Sequence, residues 1–190
     1  MVKKITIQII QQYLTDFNRR FYLRELAEKL KKPHQTIKPY VENLVKNNIL
    51  IKEKRTNIVE YSLNFQNKLV YDYLTIAEKD KLIQRVNQDT LLAILFEKLS
   101  MFFEKNTFII FGSTAEKLQK ESDIDLLVIG RYSVSKQIND FERIYNKNVH
   151  KIQIMKIDKL SQTLLREIYK KHLILNNTEQ IIRFFGKFGN

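Results

Sequence analysis

A chain of 190 residues has room for one large domain or two small ones. Its 44% apolar and 28% charged residues are ordinary for a globular protein, and no apolar run approaches the roughly 20 residues needed to cross a bilayer. Zero cysteines exclude disulfides and thiolate zinc sites, three widely spaced histidines argue against a histidine zinc site, and a net charge of +12 favours an anionic partner.

The opening Met1-Val2-Lys3-Lys4 has none of the pattern of a signal peptide, so a cytoplasmic location without membrane association is expected. Residues 1–86 hold 17 Lys and Arg against 9 Asp and Glu, a net of +8, and the remainder nets +4. A generally Lys-rich composition would raise both halves; the excess in the first half favours a nucleic-acid-binding face there.

In chain order, Ile5, Ile9, Ile10, Tyr13 and Leu14 fall at helical spacing, which predicts a helix over residues 3–15. Phe21-Tyr22 reads as a short strand. Leu23, Leu26, Ala27 and Leu30 lie on one face of a second helix, which Lys31-Lys32-Pro33 breaks. A third helix starts near His34, with Ile37, Tyr40, Val41, Leu44 and Val45 inward and Pro39 in its early turns. Ile49-Leu50-Ile51 and Ile58 to Leu63, joined by charged residues and a Thr56-Asn57 turn, predict a hairpin. Residues 66–105 read as mostly helical, their aromatic residues packing in the core or at a dimer contact.

Residues 107–130 are the informative stretch. Phe108 to Phe111 has the composition of a buried strand and ends at Gly112-Ser113, where a helix begins near Thr114. A second apolar strand contains Asp123-Ile124-Asp125. Residues two apart on a strand project from one face, so both carboxylates are placed together. Neighbouring anions of this kind stay ionised when a cation compensates them, and hard oxygen ligands suit Mg²⁺. Gly112 permits close backbone approach, a helix start offers N–H groups to a phosphate, and Ser113 adds a hydroxyl. A phosphate-binding turn next to a metal-binding strand meets the needs of nucleotidyl transfer, in which positioning and charge neutralisation dominate.

The first 65 residues resemble winged helix-turn-helix transcription regulators, on the order of three helices and a hairpin. Residues 88–175 resemble the minimal nucleotidyltransferases of the DNA polymerase β superfamily, on the strand ending in Gly112-Ser113 and the Asp123-x-Asp125 pair. The expected class is α+β: a winged helix-turn-helix domain (1–65), a helical connector (66–87), and a small mixed-sheet nucleotidyltransferase domain flanked by helices (88–190). The winged-helix likeness implies DNA contact through His34, Gln35, Thr36, Lys38 and Tyr40 in the major groove, and through Lys52, Lys54 and Arg55 on the phosphates. A protein-docking or dimerisation role for the same fold stays open, including a homodimer.

The transferase likeness implies Mg²⁺, with Mn²⁺ as the alternative, on Asp123 and Asp125 as the catalytic pair. It places ATP or another NTP at Gly112 and Ser113, and attack by a protein or RNA hydroxyl on the α-phosphate. It further implies an antitoxin acting on a partner toxin. Family members carry a third carboxylate on a later strand. The apolar alternation from Val149 puts Gln153 there, and Gln cannot act as a general base. Asp158 is expected to cap the next helix, His150 to be solvated, and Phe184, Phe185 and Phe188 to form an interaction surface. The competing reading is a DNA-binding regulator whose degenerate transferase domain only senses nucleotide or mediates assembly.

Overall fold

The computed structural model describes residues 2–55, 57–117 and 122–188. Thr56 of the expected hairpin turn, and residues 118–121 between the serine turn and the aspartates, lie outside the described residues. The chain forms two compact units, one of Met1–Asp80 with Glu179–Asn190 and one of Lys81–Thr178. The expected boundaries at 65 and 87 thus fall on either side of the division at 80, and the final segment groups with the first unit rather than the second.

The first unit begins with helix α1 (Lys4–Gln11), shorter than its apolar spacing suggests. Tyr13 and Leu14 bond to carbonyls three residues back, at 3.0 and 3.2 Å, so the coil tightens and carries Tyr13, Leu14 and Phe17 into the core. Strand β1 (Phe21–Tyr22) leads directly into helix α2 (Leu23–Leu30). Lys31 closes α2 in the left-handed conformation (φ 51°), with Lys32 N–H bonded to the Ala27 carbonyl and Lys31 N–H to that of Glu28. This is a Schellman closure made without glycine. Helix α3 (His34–Lys46) buries Ile37, Val41 and Leu44 and contains Pro39, which cannot bond to the Gln35 carbonyl.

Strands β2 (Leu50–Arg55) and β3 (Ile58–Leu63) form the hairpin, in register from Leu50 opposite Leu63 to Arg55 opposite Ile58. β1 pairs antiparallel with β3, giving the order β1-β3-β2. The Tyr13 hydroxyl donates to the Tyr61 carbonyl at 3.0 Å in a buried position, tying the end of α1 to this sheet.

Helix α4 (Leu69–Gln88) runs from the first unit into the second, and helix α9 (Thr178–Phe188) belongs to the first unit apart from Thr178. Ile181, Ile182 and Phe185 on α9 are buried, and Phe184 and Phe188 are half-buried. The interaction surface expected from the three phenylalanines is therefore corrected at Phe185, which helical spacing turns inward with Ile181 and Ile182.

In the second unit, Asp89 caps helix α5 (Thr90–Ser100) by accepting from Leu92 N–H at 3.1 Å. Strand β4 (Asn106–Phe111) is buried at all six positions, the apolar Phe108 to Phe111 and the polar Asn106 and Thr107 alike. A one-turn helix α6 (Ser113–Glu116), strand β5 (Ile124–Gly130), helix α7 (Ser135–Tyr145) and strand β6 (Val149–Ile154) follow. A 3-10 turn (Ile157–Lys159), helix α8 (Gln162–Lys170) and strand β7 (His172–Ile174) complete the unit. Asp158 sits inside the 3-10 turn, and the cap of α8 is Ser161, which accepts from Leu164 N–H at 3.3 Å. The expectation for Asp158 is corrected because the extra turn delays the helix by three residues.

The second sheet has the order β6-β5-β4-β7, with β5 and β6 parallel and the other pairs antiparallel. Phe108, Ile110, Leu126 and Val128 pack with Leu92, Leu95 and Leu99 of α5 and with Ile138 and Phe141 of α7. Full burial of a side chain such as Phe141 contributes about 2–3 kcal/mol, which explains why this two-helix cover fixes the strands that carry the aspartates.

Candidate active site

Gly112 follows β4 with φ 70° and ψ −153°, a backbone region open essentially to glycine alone. A Cβ at this position would lie 2.9 Å from Asp125 Oδ2, so only glycine lets that carboxylate come this close to the turn. Phe111 is the register partner of Asp125, which sets the turn and the carboxylate side by side. The Thr114 hydroxyl donates to the Asp123 carbonyl at 2.8 Å and fixes the second aspartate to the same turn. Ser113 is exposed. The helix it opens is only four residues long, so it supplies little macrodipole, and the Gly112 N–H is already bonded to the Lys171 carbonyl at 3.1 Å. A phosphate at this turn would therefore depend on the Ser113 hydroxyl and neighbouring cations more than on a helix end. Lys171, at the end of α8, meets the turn through its backbone carbonyl while its ammonium lies 3.5 Å from Glu116 Oε2, and the Arg85 guanidinium donates to the Thr114 carbonyl at 3.4 Å.

Asp123 and Asp125 meet two partners from the neighbouring strand. Asn148 Nδ2 donates to Asp123 Oδ1 at 3.1 Å, and His150 Nδ1 lies 3.3 Å from Asp125 Oδ1. Because β5 and β6 are parallel with Asp125 opposite His150, positions 123 and 125 align with 148 and 150 as two rungs on one side of the sheet. Asp123 is exposed and Asp125 half-buried.

The expectation for Gln153 is corrected. It pairs with Val128, three rungs from Asp125, and its amide donates to the Gly130 and Tyr132 carbonyls at 3.1 and 3.2 Å. Three rungs is an odd number, so Gln153 also projects from the opposite face of the sheet, and apolar alternation along β6 gave neither its face nor its distance correctly. Only the inter-strand register brings His150 to the aspartates. His150, Asn148, Thr114 and Lys171 were the site neighbours that sequence reasoning missed or left as solvated.

The chemistry of the donor set suits a divalent cation: two hard carboxylates with an imidazole alongside. Among the described residues no three His, Asp or Glu are gathered into a finished cage. Asp123 is drawn toward Asn148, so an ion would have to recruit it.

Several basic residues of the first unit are engaged in ion pairs. Lys52 is paired with Glu42 at 2.9 Å, and the Tyr61 hydroxyl donates to the same Glu42 oxygen at 3.2 Å. The Lys52 hydrogen bond, foremost, holds the Glu42 carboxyl below its usual range and raises the Lys52 ammonium. Arg55 lies 3.4 Å from Glu60, and Arg20 pairs with both Glu53 and Glu60. Lys54 is exposed and has no ion pair among the described residues. On α3, Lys38 is exposed, while Gln35 and Thr36 line a groove of about 630 Å³ together with Lys3, Tyr40 and Tyr73. No helix of the described residues is long and apolar enough to cross a membrane.

Residues 97–180 match the family model for polymerase beta, nucleotidyltransferase. This stretch, fewer than half of the 190 residues, thus carries a nucleotidyltransferase domain of the polymerase beta type, and the match says nothing of the chain outside it. Among solved structures, the chain has likeness to a mutant of the toxin–antitoxin pair MntA–HpeT at 15% identity and a TM-score of 0.38, covering 49% of this chain and 78% of that one. Likeness to Pseudomonas aeruginosa HmgR is at 14% identity and a TM-score of 0.28, covering 79% of this chain and half of that one. No curated protein matches.

Proposed function

We propose that the second unit is an NMP transferase that moves AMP from ATP to a protein or RNA hydroxyl. The observation that supports this reading is the close approach of Asp125 Oδ2 to the Gly112 backbone, which sets the aspartate pair against the Gly112-Ser113 turn. Asp123 and Asp125 would hold Mg²⁺, which neutralises charge on the triphosphate when bound. Ser113 donates its hydroxyl to a phosphate oxygen, and Lys171 supplies a cation at the same turn. The acceptor oxygen attacks the α-phosphorus as the bond to the bridging oxygen of pyrophosphate breaks. Pyrophosphate leaves, and the hydroxyl proton passes to solvent.

The first unit, on this proposal, is a winged helix. Its support is the order of three helices followed by a hairpin, with the short strand β1 on the far side of β3. It would bind DNA through exposed cations such as Lys38 and Lys54, with Gln35 and Thr36 near the bases and Lys52 and Arg55 competing between phosphate and their own glutamates. An antitoxin role, with a partner toxin as the acceptor, belongs to the same proposal. The test is incubation with Mg²⁺, labelled ATP and a cell extract. Label should enter a macromolecule with the native chain and not with an Asp123→Ala/Asp125→Ala variant.

A second reading is favoured by one observation: His150, not a carboxylate, is the register partner of Asp125 on β6. A DNA-binding regulator that only senses nucleotide would bind ATP in that experiment without labelling anything, and this outcome would replace the enzyme reading.

A further inference from the structure

We propose that His150 is a direct metal ligand in partnership with Asp125 and Asp123, and that the site therefore favours a transition-metal dication over Mg²⁺. The proposal rests on the metal-bearing role given above to the two aspartates and adds the identity of the third donor.

Three observations support it. His150 is opposite Asp125 in the parallel register, so the backbone holds the two side chains together. The imidazole Nδ1 lies 3.3 Å from Asp125 Oδ1. Two donors bound to one ion at about 2.1 Å each, with an angle between 90° and 110°, are roughly 3.0–3.4 Å apart, so the pair already has the spacing of neighbouring ligands. Third, the His150 side chain is 67% exposed and Asp125 is 32% exposed, so an ion can enter without repacking the core.

Asp123 would be recruited by the ion, since it is not gathered with the other two among the described residues. It lies two residues before Asp125 and is engaged by Asn148 at 3.1 Å, an exposed hydrogen bond that an ion can displace. Two carboxylates and an imidazole leave positions for phosphate or water. A nitrogen donor also changes selectivity. Mg²⁺ is bound through oxygen and dehydrates reluctantly, whereas imidazole strengthens binding along the first transition series. The sequence contains two other histidines, His34 and His172; His172 is buried, its Nδ1 near the Ile168 and Tyr169 carbonyls.

The experiment uses the full chain and Mn²⁺ alone, read by electron paramagnetic resonance. The native chain should bind Mn²⁺ with a ¹⁴N coupling from a coordinated imidazole. His150→Ala should lose that coupling and bind Mn²⁺ about tenfold or more weakly, with Mg²⁺ affinity from calorimetry changed no more than about twofold. His150→Asp should restore Mn²⁺ affinity without the nitrogen coupling and shift preference toward Mg²⁺. Near-ultraviolet circular dichroism checks that both variants fold. Mn²⁺ bound by the native chain without nitrogen coupling, or a coupling that survives in His150→Ala, overturns the His150 assignment while leaving the aspartate site standing. Mn²⁺ affinity unaffected by Asp125→Asn overturns the aspartate site itself, and the proposal with it.

Discussion

Gly112→Ala tests the geometry of the site without assuming any chemistry. The alanine would have to occupy φ 70° and ψ −153°, a region that costs a non-glycine residue about 1–3 kcal/mol. Its Cβ would also press on Asp125 Oδ2 at 2.9 Å, forcing the carboxylate away from its 3.3 Å contact with His150. Crowding of this kind adds about 1 kcal/mol, so the second unit should lose about 2–4 kcal/mol. Urea denaturation of the full chain, with hydrogen exchange of β4 and β5 amides to isolate the second unit, measures the loss. Adding Asp125→Ala separates the two causes, because it removes the crowding and leaves the backbone strain. The double variant should recover about 1 kcal/mol relative to additivity. Destabilisation below about 0.5 kcal/mol, or strict additivity, would refute the claim that Gly112 is required for both conformation and space.

Three further outcomes are expected. If the first unit binds DNA, Lys54→Ala should reduce the slope of log affinity against log salt by about 0.9, and Lys52→Ala by clearly less, since Glu42 already neutralises Lys52; equal slopes would show that the ion pair does not persist on DNA. Ser161→Ala should destabilise α8 by about 1 kcal/mol, seen as faster exchange at Leu164 and Leu165; unchanged exchange would show that the cap is dispensable. Glu42, held below its usual range chiefly by the Lys52 hydrogen bond, stabilises the first unit above the ordinary carboxylate pKa and loses that contribution as pH falls through its lowered folded value. Acid titration of the hairpin amides should therefore show this loss in the native chain and not in Glu42→Gln.

Helices α2 and α3, the hairpin, β4 and the Gly112-Ser113 turn were legible because each is written in local pattern: spacing, breakers and apolar runs. Two kinds of feature were not. Strand β7 is three residues long and abuts α8, so nothing in its local sequence separates it from a continuing helix; its pairing with β4 defines it. The partners of Asp123 and Asp125 depended on register between strands separated by a helix, which no local pattern encodes. That is why Gln153 looked like the facing residue and His150 took the place. The hairpin showed the same limit, since Lys52 pairs with Glu42 on α3 and Arg20, ahead of β1, pairs with Glu60 on β3.

The discontinuity of the first unit has a consequence for how the chain acquires its structure. Ile181, Ile182 and Phe185 are buried, and the Arg183 guanidinium sits 5.1 Å from the centre of the Tyr71 ring. During synthesis, the ribosome must deliver every residue of the Lys81–Thr178 unit before these groups exist. Residues 1–80 therefore wait with an apolar seam uncovered while their neighbour is made, and a nascent chain stalled within the transferase stretch would expose that seam to chaperones or proteases.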